Sequence, residues 1–124
     1  MKSRILKSCG LLIALPILTA CGNREISYKA DVAPLLQQYC VECHSEKGQG
    51  YEKSGLLMSS YDNLMKGTRF GAIIKPGDSL TSTLVMLIEG RADPSIKMPH
   101  GREALPKEKT DTVKKWVEQG AKNN

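Results

Sequence analysis

Two short stretches hold the side chains of this chain that could do chemistry: "CVECH", Cys40 to His44, and "KMPHG", Lys97 to Gly101. Between them they carry both histidines, His44 and His100, two of the four cysteines, Cys40 and Cys43, and Met98, which is followed by Pro99. Thiols, imidazoles and a thioether are nucleophiles or metal ligands. Their spacing decides which.

Five chemistries compete for the first stretch. A disulfide oxidoreductase uses Cys-x-x-Cys at a helix start after a strand, in a βαβ context, and no strand pattern precedes Cys40. A structural zinc site needs four protein ligands; Cys40, Cys43 and His44 would depend on His100, and two of these ligands are sequence neighbours, awkward for tetrahedral closure. An iron–sulfur cluster wants four thiolates. A plain disulfide across two residues would tie down very little. Cys-x-x-Cys-His, by contrast, is the attachment sequence of c-type haem: two thiols reach the two vinyl groups on one porphyrin edge, and the next residue puts an imidazole under the iron. The residues therefore imply one covalent haem c per chain, attached at Cys40 and Cys43, with His44 as proximal ligand.

The sixth ligand must come from downstream. Met58, Met65 and Met86 lie in or beside predicted helices, where methionine is a flexible gap-filler of the core. Met98 lies in an aperiodic loop, and the following proline pushes its backbone toward an extended conformation. His100 competes with it, since imidazole is the stronger iron ligand, and the residues alone leave both open.

The elements that must position these groups read as helices. Asp31 caps a first helix with Pro34 in its first turn, and Val32, Leu35, Leu36, Tyr39, Cys40 and Cys43 follow its apolar face. Residues 45–55 form a polar, glycine-containing loop around the haem edge. A short helix spans residues 60–66, with Ser59 and Asp62 as a capping box and Gly67 as its stop. Pro76 and Gly77 make a turn. Leu80, Leu84, Leu87 and Ile88 lie at helical spacing between a cap at Asp78 or Ser79 and a stop at Gly90, and that face should line the haem pocket. Residues 91–105 show no periodicity. The last helix begins at Pro106, presents Val113, Trp116 and Val117, and ends at Gly120. Trp116 and Tyr39 are expected to pack where the two terminal helices cross.

The chain has 124 residues, enough for one small domain. Lys2, Arg4 and Lys7 precede an apolar run, Cys9 to Ala20, in the pattern of an export signal. That run is shorter than the ~20 residues needed to span a bilayer and contains Pro16. It ends in Leu18, Thr19, Ala20 and Cys21, which resemble the bacterial lipobox, where cleavage falls just before a lipidated cysteine. The expected organisation is a signal peptide over 1–20, a lipidated linker over 21–27 and one domain over 28–124. Several acyl chains at Cys21 would anchor it firmly, since one chain binds marginally. Loss of the signal leaves 15 basic and 13 acidic residues, too balanced for nucleic-acid binding.

Five blocks, "YKADVAPLLQQYCVECHS", "GLLMSSYDNLMKG", "IIKPGDSLTSTLVMLIEG", "KMPHGREAL" and "VKKWVEQGA", resemble in order and content the single-haem planctomycete-type cytochrome c domains of the class I cytochrome c fold. The resemblance implies an all-α fold of about four short helices around one covalent haem, with Met98 of the Met-Pro step as distal ligand opposite His44, and a final helix packed across the first. Where the family often has a second proline after that step, this chain has His100. The implied function is single-electron transfer between redox partner proteins, with no small-molecule substrate, facing the periplasm from a lipid anchor. Gly22 stands where an inner-membrane retention Asp would, which leans toward the outer membrane. The other reading is a haem sensor or enzyme in which Met98 is displaced by a small ligand. Lys97, Arg102, Lys107 and Lys109 cluster in sequence about the distal loop and could steer an acidic partner.

Overall fold

The computed structural model describes residues 24–124; Cys21 and the signal segment over 1–20 lie outside the described residues. The architecture is all-α, as expected. Among the described residues it contains five short α-helices, close to the expected four, and no strand, only an isolated bridge between Thr68 and Gly71. The helices are α1 (Ala33–Tyr39), α2 (Gln49–Ser54), α3 (Tyr61–Lys66), α4 (Thr83–Ile88) and α5 (Lys107–Glu118).

A π-helical turn, Tyr28–Val32, leads into α1. Its cap is Ser27, four residues before the expected Asp31. The Ser27 hydroxyl accepts from the Ala30 N–H (3.1 Å), while the Asp31 carboxylate accepts from the Ser27 N–H (2.8 Å), a reciprocal arrangement that satisfies two otherwise orphan donors. Residues within the stretch read as linker are fastened to the other end of the chain. The Ile26 N–H donates to the Gln119 side chain (2.7 Å) and the Ser27 hydroxyl to the Asn124 carbonyl (2.9 Å), and just beyond the stretch the Tyr28 and Lys29 N–H groups also donate to Asn124.

The longest helix, α5, explains the seam between these ends. Thr110, Val113, Trp116 and Val117 recur at a helical period and are buried. Trp116 is fully buried, and its indole N–H donates to the Lys122 carbonyl (2.9 Å). Its ring neighbours are Tyr28 (centroids 5.6 Å) and Tyr61 (6.4 Å), which also meet each other edge to face at 5.1 Å. The expected partner, Tyr39, is half-buried at the edge of the core instead. Tyr28 from the π turn, Tyr61 from α3 and Trp116 from α5 thus tie three elements together.

Other expected boundaries shift for local reasons. Ser60 rather than Ser59 caps α3, accepting from the Asn63 N–H, and Gly67 stops it. Pro106 has an extended ψ of 142°, so it caps α5 instead of opening it. Helix α4 starts at Thr83 because Asp78 spends its carboxylate on the Thr81 N–H, closing a turn over Ser79–Thr81. Leu80, expected on the pocket-lining face, is 72 % exposed as a result. Helix α2 falls where a loop was expected; it buries no residue, so no apolar period marks it.

Candidate haem-binding site

Cys40, Cys43 and His44 sit in a tight turn beyond α1, not on the helix itself as expected. The Leu36 carbonyl accepts from both Cys40 (2.8 Å) and Val41 (3.0 Å), which ends the regular ladder. The Cys40 carbonyl then accepts from Cys43 (3.1 Å) and His44 (3.0 Å), so the three side chains project from one closed turn. Cys40 is half-buried and Cys43 exposed, and the two are not bonded to each other.

The turn is gripped from its C-terminal side. The Cys43 carbonyl accepts from the Tyr51 N–H of α2 (3.1 Å), and the His44 carbonyl accepts from the Met58 N–H (2.9 Å). Two glycines permit this approach. A Cβ on Gly48 would lie 2.2 Å from the Cys43 oxygen, and one on Gly50 would lie 2.8 Å from both that oxygen and the His44 ring. No other residue type fits there without moving the turn. Sequence reasoning placed these glycines in a loop around the haem edge; the closely spaced "GQG" just after His44 was the available signal.

His44 itself is buried, and its Nδ1 lies 3.3 Å from the Leu56 carbonyl. A carbonyl can only accept, so Nδ1 carries the proton and Nε2 keeps its lone pair. Burial lowers the His44 pKa from the usual value, only partly opposed by that hydrogen bond, so the ring is held neutral. Such a ring, with one nitrogen anchored on a carbonyl, is the form that ligates a metal. Burial, with a smaller contribution from the nearby Cys43, pushes the Cys40 thiol up to about 11. A redox-active Cys-x-x-Cys needs the opposite, a stabilised thiolate.

The second stretch lies in the long loop between α4 and α5, which contains one 3-10 turn, Pro94–Ile96, capped by Asp93. Met98 is half-buried and packs against the core, with its N–H 3.4 Å from the Leu87 carbonyl and a cis peptide to Pro99. His100 is exposed. Of the expected core methionines, Met58 is buried, Met65 packs against the core, and Met86 is half-buried. The two stretches are brought together by an ion pair that sequence reasoning missed: Arg102 Nη2 lies 2.8 Å from Glu42 Oε2, inside the CVECH turn. Lys107 likewise pairs with Asp111, so two of the four clustered cations have acidic partners on this chain.

These residues fit a haem c: two unbonded thiols on one turn, a neutral buried imidazole with a free Nε2, and a glycine cradle holding both in place. They do not fit zinc, since among the described residues no three His, Cys, Asp or Glu side chains converge as a metal site. A groove of about 720 Å³ between α4, α5 and the distal loop includes Ile88, Glu89, Leu105 and Lys114 but none of Cys40, Cys43, His44 or Met98.

No curated protein and no solved structure matches the chain. Residues 40–100, from the first cysteine of CVECH to His100, match the family described as Planctomycete cytochrome C. This segment contains the first stretch whole, the second up to His100, and the loops and helices that join them. Over residues 40–100 the chain is therefore similar to the planctomycete cytochrome c family, a similarity that suggests a haem-binding electron carrier and implies haem c as its cofactor.

Proposed function

We propose that this protein is a membrane-anchored, periplasm-facing c-type cytochrome that passes single electrons through one haem, with thioethers at Cys40 and Cys43 and axial ligands His44 and Met98. The observation that carries the reading is the state of His44. It is buried and neutral, with Nδ1 on the Leu56 carbonyl and Nε2 left for the iron. Met98 is favoured over His100 because its thioether already packs against the core, whereas His100 is exposed and would have to shed water to ligate.

When bound, haem c would supply a one-electron couple, and His44 and Met98, as the residues that would hold its iron, would favour electron transfer over substrate binding. The chain's own part is positional. Leu56 fixes the imidazole plane, Gly48 and Gly50 let the Cys40–His44 turn be clamped from α2, and the distal loop presents Met98. The protonated Cys40 thiol argues against redox chemistry at the cysteines themselves. Lipidation of Cys21 would hold the domain at a membrane, the outer one slightly favoured by Gly22. Redox partners would meet the exposed basic residues about the distal loop, Lys109 among them.

Three spectra test this. The denatured protein should retain haem covalently, and its absence would end the cytochrome reading. The oxidised protein should show a methionine–iron charge-transfer band that Met98→Ala abolishes and His100→Ala preserves. The reduced protein should bind carbon monoxide slowly, whereas ready binding would favour a sensor or enzyme.

A further inference from the structure

The ligand assignment leaves one contact between the two halves of the site without a role, the ion pair of Glu42 and Arg102. Glu42 lies between the two cysteines, and Arg102 lies four residues beyond Met98; 60 positions separate them in sequence. We propose that this pair is a latch that holds the distal loop against the Cys40–His44 turn and so controls how readily Met98 leaves the haem iron. The proposal rests on the His44/Met98 reading above.

The loop has little else to hold its middle. Arg91 ties the start of the loop to the Glu89 carboxylate and to the Leu80 and Ser79 carbonyls, but from residue 93 to 104 the internal hydrogen bonds are short-range: Ser95 and Ile96 to Asp93, Lys97 to Pro94, and Arg102 to Pro99, the last two at 3.4 and 3.5 Å. Met98 reaches the Leu87 carbonyl at a long 3.4 Å. Ile96 is 52 % exposed, and residues 100–104 are exposed until Leu105 re-enters the core. A segment with few buried apolar contacts and weak external bonds opens at low local cost. Against so low a cost, even a weak contact shifts the opening equilibrium.

From residue 93 to 104, the 2.8 Å bond from Arg102 is the short, charge-assisted one that reaches another part of the chain, and it ends on the motif that carries the proximal ligand. Its position matters more than its strength. Both partners are substantially exposed, so the pair contributes little to global stability and is weakened by salt. Arg102 acts here as a positioning residue: it touches neither haem nor ligand and works through the loop that carries Met98.

Carbon monoxide binding to the reduced haem-loaded protein reads this directly, since Met98 must leave before the gas can bind. At low ionic strength, Arg102→Ala and Glu42→Ala should each bind it about two- to fivefold faster than the parent, the range expected for loss of an exposed pair. The charge swap, Glu42→Arg with Arg102→Glu, should restore the parent rate. The parent rate should rise with added salt while the single variants stay flat. If the swap fails to take up haem, Glu42→Gln and Arg102→Gln serve instead: the double variant should be no faster than either single. Unchanged single variants, or effects that add in the double, would overturn the latch. Failure of the ligand reading looks different, because the methionine–iron band would then be absent from the parent or persist in Met98→Ala.

Discussion

The two sides of the proposed haem site are held by different means. On the proximal side, Cys40, Cys43 and His44 fall within five consecutive positions, closed by two bonds to the Cys40 carbonyl and clamped by Tyr51, Met58, Gly48 and Gly50. On the distal side, Met98 stands in a loop whose start is held by Arg91 on the Leu80 and Ser79 carbonyls, but whose middle, residues 93–104, bonds the rest of the domain through a long bond to Leu87 and an exposed ion pair to Glu42. The first ligand is fixed by backbone geometry, and the second is presented by a segment that can yield. The exchangeable ligand of such a site is therefore expected on the distal side.

The largest effect should come from removing the attachment points. Cys40→Ser with Cys43→Ser should abolish covalently retained haem altogether, read by the haemochrome spectrum after denaturation, whereas Met98→Ala should leave attachment intact. Next comes the glycine cradle. In Gly48→Ala the new methyl meets backbone at 2.2 Å, and the strain should cost about 3 kcal/mol, toward the upper end of overpacking effects, measured by denaturant unfolding. A cost below about 1 kcal/mol would show that the turn is not rigid.

Acidification should give a smaller, graded effect on the haem-free chain. The folded pKa of His44 lies below the unfolded value of 6.5, so below that value the unfolded state binds more protons than the folded one. The stability contributed by burying the neutral ring is present above pH 6.5 and declines as pH falls toward the folded pKa. Thermal unfolding at pH 7 and pH 5 checks this, and His44→Gln should flatten the difference. The smallest effect is expected distally. Gly101 has φ of +68° but open space around its Cβ position, so Gly101→Ala should cost about 1 kcal/mol of local strain. That strain should appear as faster carbon monoxide binding with little change in global unfolding. Equal responses to Gly48→Ala and Gly101→Ala would erase the contrast between the two sides.

Much of this contrast could be read in advance. The chemistry of CVECH depends on neighbours one to four residues apart, so a linear pattern suffices to specify it. The same holds for α5, where Val113, Trp116 and Val117 declare a buried face through their spacing. Helix α2 escaped because it buries nothing and so has no apolar period. Tyr28 and Tyr61 escaped as partners of Trp116 because their meeting depends on how three separate elements pack.

Covalent adjacency alone marks the proposed donors: two thiols, an imidazole after them, and a methionine before a proline. Only the tertiary structure decided how those donors are held. It supplied the Leu56 carbonyl that sets the His44 tautomer, the approach of Gly48 and Gly50 to the turn, and the bond from Arg102 to Glu42. Each of these joins groups through space, from 5 to 60 residues apart, and no local period of hydrophobicity or turn chemistry encodes such a contact.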